Sequence, residues 1–406
     1  MKITITQTGK TDNGFTATLK FGDRSTLYPF TVQNPFNEEE EKQLEWYFEK
    51  WLTFPFTGHV KAGEAAKSIT TYGEQLFKQI FTGEIKTRYQ MALEYEGGFE
   101  QLEVEVSGDP DFHALHWEAL KDPQFERPIA IEATFVRPNL RPTATDIRSK
   151  PSPTLNILLV TARPGGRRDV SYRTISRPLV TALRNSHIRA QIDMVRPGTF
   201  AALEKHLEDT RDNPERGDGY YHIIHFDLHG KLYKYDEYKA LKPESTSSRH
   251  LFREPDTEAY GGVKAFLSFN GPKPGQSERI IDDKIADLLK RHRIPIAILN
   301  ACQSGKQVGE TETSLGSRLM AAGVQTALAM GYSVSVTAAE RLMTHLYEQL
   351  LAGQPPTTSW VWWPRNSGSG RRPNPITSKP CKSPSNSMTA TARHPPTTSW
   401  AWWPRN

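Results

Sequence analysis

Five short apolar runs recur between residues 155 and 330, with room for a helix between each pair. They are Leu155–Ala162, Ile188–Val195, Tyr220–Leu228, Ile294–Ala301 and Val324–Met330. Runs such as Ile296-Ala297-Ile298-Leu299 do not alternate with polar residues, so both of their faces should be covered. Helical periodicity fills the intervals at about 176–186, 199–209, 281–291 and 313–322. A last helix, about 338–352, opens on Thr337-Ala338-Ala339-Glu340, a capping-box pattern, and closes at Gly353. Strands separated by helices predict a mostly parallel sheet with right-handed crossovers. In such sheets ligands lie beyond the carboxyl ends of the strands.

The first 95 residues follow a different pattern. Short strand-like runs at Ile3–Thr6 and Phe15–Phe21 precede an acidic helix that Asn37 can cap, with Leu44, Phe48 and Trp51/Leu52 along one stripe. A second helix runs from about Gly63 to Phe81 and aligns Ile69, Tyr72, Leu76 and Ile80. Nothing here resembles an active site, so a small α+β packing module, and a docking place for an activating protein partner, is the expectation. Residues 100–137 read as a hairpin and strand region. Leu102, Val104 and Val106 alternate, Ser107-Gly108-Asp109-Pro110 marks a turn, and Ile129–Val136 is a further β run. Prolines 138, 142, 151 and 153 then mark an irregular connection.

The last 53 residues break every pattern. Pro355 to Asn366 recurs as Pro395 to Asn406 with Val361 replaced by Ala401, and this stretch holds six of the nine tryptophans. Rich in Ser, Thr, Gly and Pro, it has no period with which to bury a core, and a disordered tail is expected. Trp pairs flanked by Arg suit base stacking or a membrane interface. The abrupt loss of acidic residues favours a non-native segment, such as an out-of-frame translation.

That tail changes the meaning of the charge. The chain of 406 residues carries 51 Lys and Arg against 46 Asp and Glu, a net +5 that invites a nucleic-acid reading. Seven of the basic residues and none of the acidic ones lie in the tail, which leaves residues 1–353 at about −2. No nucleic-acid-binding face is implied. No run approaches the ~18 apolar residues of a membrane span, and the N-terminus lacks a signal-peptide core. The two cysteines, Cys302 and Cys381, make a disulfide framework improbable. A soluble cytoplasmic protein is the expectation, with no membrane partner.

Two strand ends carry chemistry. The third strand finishes His225-Phe226-Asp227-Leu228-His229-Gly230, and the fourth finishes Asn300-Ala301-Cys302-Gln303-Ser304-Gly305. In one sheet they place an imidazole and a thiol at the same edge. A thiol becomes a nucleophile when deprotonated, and a neighbouring imidazole can take its proton or hold the thiolate. Gly230 and Gly305 permit tight turns whose N–H groups can face an oxyanion. Either residue alone reads as structural, a buried thiol or a satisfied histidine. Asp227 shares strand parity with His225 and His229, so it is a candidate for orienting a histidine, with a structural acid the alternative.

The segments HIIHFDLHG (222–230) and IAILNACQSG (296–305) resemble the two signatures of CHAT domains, the caspase-like domains related to separase. DFHALHWEAL (111–120), PIAIEATFVR (128–137), LNILLVTARP (155–164) and residues 314–353 extend the similarity over about 100–353, and LEWYFEKWLTFPF (44–56) looks like the segment preceding some such domains. The resemblance implies a caspase-like α/β fold and cysteine endopeptidase chemistry. It makes His229 the catalytic histidine and Cys302 the nucleophile, with the Gly230 and Cys302 N–H groups as the oxyanion site. Thiolate attack on a protein substrate would form a thioester that water hydrolyses. The pair needs no third residue, and the sequence singles none out. Asn300, Gln303, Asp227 and Arg163 are candidates for substrate contact or orientation. Neither cofactor nor metal is called for. The rival reading is a non-catalytic signalling or protein-binding module on the same scaffold, which needs neither His229 nor Cys302.

The implied organisation is an N-terminal module (1–95), a CHAT domain (96–353) and the tail (354–406). After Gly353 the chain departs from the family pattern. Residues 231–279 are long for a crossover and rich in aromatics, so they read as a folded insertion placed to act as a lid. Three other signals are set aside. His222, His225 and His229 have metal-like spacing, but on a strand His222 faces away from the other two. Gly305-Lys306 lacks the Ser/Thr and the upstream Gly of a phosphate-binding loop. The cluster Arg163-Pro164-Gly165-Gly166-Arg167-Arg168 reads as a solvated loop, or as a reader of an acidic substrate side chain.

Overall fold

The computed structural model describes residues 1–52, 56–96, 98–99, 102–138, 147–166, 169, 173–184, 186, 188–241, 259–273, 275–302, 304, 314–331 and 336–351. The repetitive tail, Cys381 and Gln303 lie outside the described residues.

The N-terminal sheet contains β1 (Lys2–Thr11), β2 (Gly14–Phe21), β3 (Tyr28–Val32), β4 (Glu103–Ser107) and β5 (Thr134–Val136), in the order β3-β2-β1-β4-β5. Four helices accompany it: α1 (Glu38–Trp46), α2 (His59–Ile80), α3 (Gly83–Glu96) and α4 (Pro110–Ala114). Asn37 caps α1 as its sequence predicts, accepting from the Glu39 and Glu40 N–H groups while the Glu40 side chain returns to the Asn37 N–H. Alternation on the strands puts Ile3, Ile5, Leu19, Val104 and Val106 in one core with Ile69, Tyr72, Leu76 and Ile80 of α2.

Residues 100–137 depart from the expected hairpin. Asp109 caps α4 by accepting from the Phe112 N–H, and Pro110 occupies its first turn. The Ser-Gly-Asp-Pro stretch therefore starts a helix. Ile129–Ile131 forms a 3₁₀ turn, and β5 lies parallel to β4. Strand β4 in turn lies parallel to β1, so this packed unit reaches from residue 3 to residue 135 and crosses the boundary expected at 95.

The second sheet holds β6 (Leu155–Thr161), β7 (Ala190–Val195), β8 (Ile223–Asp227), β12 (Ile296–Asn300) and β13 (Thr326–Ala329), in the order β13-β12-β8-β6-β7. Every pairing is parallel. Between these strands run α5 (Arg173–Arg184), α6 (Phe200–Asp212), α8 (Asp282–Arg291) and α9 (Leu315–Ala321), and α10 (Val336–Leu350) follows β13. The three central strands, β6, β8 and β12, are buried on both faces because each face is covered. Leu158, Val160, Phe226 and Leu299 meet α6, α8 and α9, while Ile157, Leu159, Ile223 and Ile298 meet Leu179 of α5 and Leu342, Leu346 and Tyr347 of α10. Helix α10 already includes Thr337, which is therefore not its cap.

Residues after β8 build a third sheet, which is antiparallel. Strand β9 (His229–Lys234), helix α7 (Tyr235–Ala240), β10 (Val263–Asn270) and β11 (Ser277–Ile281) give the order β11-β10-β9. Its inner row, Leu232, Leu267, Phe269 and Ile280, joins the core beside α8, and its outer row packs Tyr233, Phe266 and Ile281 with Tyr238. Of the insertion expected at 231–279, the described residues form a sheet docked on the parallel one, and residues 242–258 lie outside the described residues.

Candidate active site

The chain leaves β6 toward β7 on one side and toward β8 on the other, so the strand order reverses between β6 and β8. Crevices at such reversals, beyond the strand carboxyl ends, are where open α/β sheets bind ligands. Three adjacent strand ends meet there: Thr161, Asp227 and Asn300 lie side by side in register.

The floor is a buried polar network. The Arg163 guanidinium donates to Asp227 Oδ2 at 2.6 Å, to the Asp227 carbonyl at 2.7 Å and to the Ala162 carbonyl at 2.9 Å. Asn300 Nδ2 donates to Asp227 Oδ1 at 2.8 Å. The Arg163 and Asp227 side chains are 3% and 4% exposed. Burial raises the Asp227 carboxyl above its ordinary value, and Arg163 and Asn300 oppose that rise. These contacts use Arg163, Asp227 and Asn300 to lock three strand ends together. Arg163 turns inward and presents no charge to the surface, unlike the solvated loop or substrate reader expected from its sequence.

Cys302 follows β12 on a tight turn. The Ser304 N–H donates to the Ala301 carbonyl at 3.3 Å, which places Cys302 at the corner. Ser304 anchors the turn from below: its hydroxyl donates to the Leu299 carbonyl and accepts from the Met330 N–H, and its own carbonyl accepts from the Gly316 N–H. The thiol is half-buried. Ser304 was not singled out by its sequence, and a buried serine after a nucleophile-bearing turn is a weak signal.

His229 opens β9, with Leu228 alone between it and the end of β8. The break at Leu228 takes it out of the parallel sheet, so the strand parity with His225 and Asp227 does not carry through. Its side chain is 49% exposed. Gly230, next to it, presses on the cysteine turn: a Cβ there would overlap the Cys302 carbonyl oxygen and lie 3.1 Å from the Ala301 Cβ. The structure therefore brings His229–Gly230 and Ala301–Cys302 together across two sheets.

The imidazole has a partner that the sequence did not single out. Its Nε2 lies 2.8 Å from Oδ1 of Asp169. Asp169 stands one residue beyond the basic cluster 163–168, and an acid following Gly-Gly at a strand's carboxyl end was the available signal. The other two histidines of the spaced trio have separate partners. His222 Nδ1 accepts from the Asn156 N–H, and His225 Nδ1 lies 2.7 Å from the Tyr347 hydroxyl. Burial pushes the His225 ring down to about 3, with Arg163 adding to the shift.

A family model described as CHAT domain matches residues 70–359. No curated protein matches the chain at a significant level. Among solved structures the chain is similar to separase in the Saccharomyces cerevisiae separase–securin complex, at 10% identity and a TM-score of 0.44, over 89% of this chain and 28% of that one. It is also similar to the Arg-specific cysteine proteinase gingipain R, at 10% identity and a TM-score of 0.33, over 80% of this chain and 68% of that one. The chain thus spans little more than a quarter of the separase it matches.

Proposed function

The chain belongs to the CHAT domain family, and from that premise we propose that it is a cysteine endopeptidase acting through His229 and Cys302. The observation that carries the reading is the contact of Gly230 with the Ala301–Cys302 turn, because it sets the imidazole-bearing strand against the thiol-bearing one. Two strand ends of unrelated sequence separation meet at the one edge where this architecture binds ligands.

In this reading His229 takes the proton of the Cys302 thiol. The thiolate attacks a peptide carbonyl, and the oxyanion that forms accepts from the backbone N–H groups of Gly230 and Cys302. The imidazolium then protonates the departing amine, the C–N bond breaks, and a thioester remains on Cys302. Water, deprotonated by the same imidazole, hydrolyses the thioester and releases the carboxylic acid and the thiol. The outer face of β9, which carries His229 and Lys231, is where the substrate chain would lie. The substrate is a protein.

A library of unstructured peptides incubated with the full-length chain and read by mass spectrometry tests the reading. Defined cleavage products are expected from the wild type, with a loss of about 10²–10⁴-fold in His229→Ala and of product altogether in Cys302→Ala. Cleavage that persists in both variants would sink the assignment, and no cleavage by the wild type would return the scaffold to a protein-binding role.

A further inference from the structure

Asp169 is placed with more care than a loop acid needs. It lies beyond β6, past the exposed Gly165 and Gly166, yet its side chain is 5% exposed. Its two carboxylate oxygens serve two donors: Oδ1 faces His229 Nε2 at 2.8 Å, and Oδ2 accepts from the Gly165 N–H at 3.1 Å. The backbone holds the same geometry. The Asp169 N–H donates to the Gly166 carbonyl at 3.2 Å, and the Gly166 N–H donates to the Arg163 carbonyl at 3.0 Å. Gly166 adopts the left-handed φ of +61° that the double turn requires, and a Cβ on Gly165 would crowd Asp169 Oδ2 at 3.2 Å. Arg163, where the segment starts, is bonded through its N–H to the Asn270 side chain and through its guanidinium to Asp227. The loop is thus anchored to the same strand end from which His229 departs.

We propose that Asp169 is the positioning residue of the His229–Cys302 pair, an inference that rests on the peptidase reading above. An ionised carboxylate only accepts hydrogen bonds, so the Nε2 it faces carries the hydrogen of the neutral ring. That assignment leaves the lone pair on Nδ1, the nitrogen available to the thiol. When the ring takes the thiol proton, the imidazolium sits against a buried carboxylate. Asp169 touches no substrate atom in this scheme. It fixes the tautomer and the ring plane of the residue that does.

The test uses the full-length chain and two readouts that need no substrate. The side-chain ¹⁵N shifts of His229 report its tautomer, and the rate of Cys302 alkylation by iodoacetamide against pH reports the thiolate. In the wild type the neutral ring should be Nε2–H. Asp169→Asn should mix the tautomers, slow alkylation near pH 6 by about tenfold, and lower kcat far more than it raises KM. Asp169→Glu, which keeps the charge, should recover part of the alkylation rate, and melting curves identify any variant that has not folded. Unchanged shifts and an unchanged alkylation profile in folded Asp169→Asn would overturn the proposal while leaving the peptidase reading intact. Shifts that change in a protein that cleaves nothing would sink the peptidase reading and leave the positioning role standing.

Discussion

The α-carbon of Gly230 lies so close to the carbonyl oxygen of Cys302 that no side chain fits between them. The contact is backbone to backbone, so neither partner can swing aside as a long side chain would. Gly230→Ala should therefore push β9 away from the cysteine turn and separate His229 from Cys302. Expected outcomes are a loss of activity of at least 10²-fold, since misplacement of about 1 Å costs that much, together with a Tm lowered by several degrees. The check is the peptide-cleavage assay beside a melting curve, and full activity in the alanine variant would show that the two strands do not need this approach.

The Arg163–Asp227 pair makes a stability prediction. Removing one member leaves a buried charge uncompensated, which costs about 3–5 kcal/mol. Arg163→Met and Asp227→Asn should each fall in that range by urea unfolding. The double variant should lose less than the two single losses added together, because neither charge is then stranded. Additive losses would mean that the bridge seen at 2.6 Å contributes no coupling.

Acid should loosen the grip of α10 on the sheet. His225 stacks on Tyr347 with ring centroids 5.6 Å apart, and both side chains are fully buried. The folded ring is pushed down to about 3, while the unfolded ring titrates near 6.5. Below pH 6.5 the unfolded chain takes a proton that the folded one refuses. The stability held above pH 6.5 therefore drains away as pH falls toward 3, by about 1.4 kcal/mol per pH unit from this one residue. His113, also pushed down to about 3 by burial, adds a second slope of the same sign. Urea titrations at several pH values should show a flatter profile for His225→Leu/Tyr347→Phe than for the wild type, and parallel profiles would exclude His225 as a source of acid sensitivity.

The parallel sheet was legible because its signals are local and repeated. Each of Leu155–Thr161, Ile223–Asp227 and Ile296–Asn300 is a run of buried residues bounded by helices, and the expected ends fall within a few residues of the observed ones. The placement of His229 and Cys302 was legible for the same reason, since both lie just beyond strands that periodicity locates. What stayed hidden depends on partners far apart in the chain. Asp169 is 60 residues from His229, and its one local signal, an acid after Gly-Gly beyond a strand end, does not say which residue it meets. The turn at Asp109 was misread because Ser-Gly-Asp-Pro suits a β-turn and a helix start equally, and the packing of Phe112 under the N-terminal sheet decides between them. Arg163 was misread because the sequence shows a cluster of basic residues and not which of them points inward.

One residue, Leu228, separates the last position of the parallel sheet from the first of the antiparallel one. The thiol follows the larger sheet and the imidazole opens the smaller one, so the pair spans the joint between the two. The distance from imidazole to thiol is therefore set by the angle at which one sheet rests on the other.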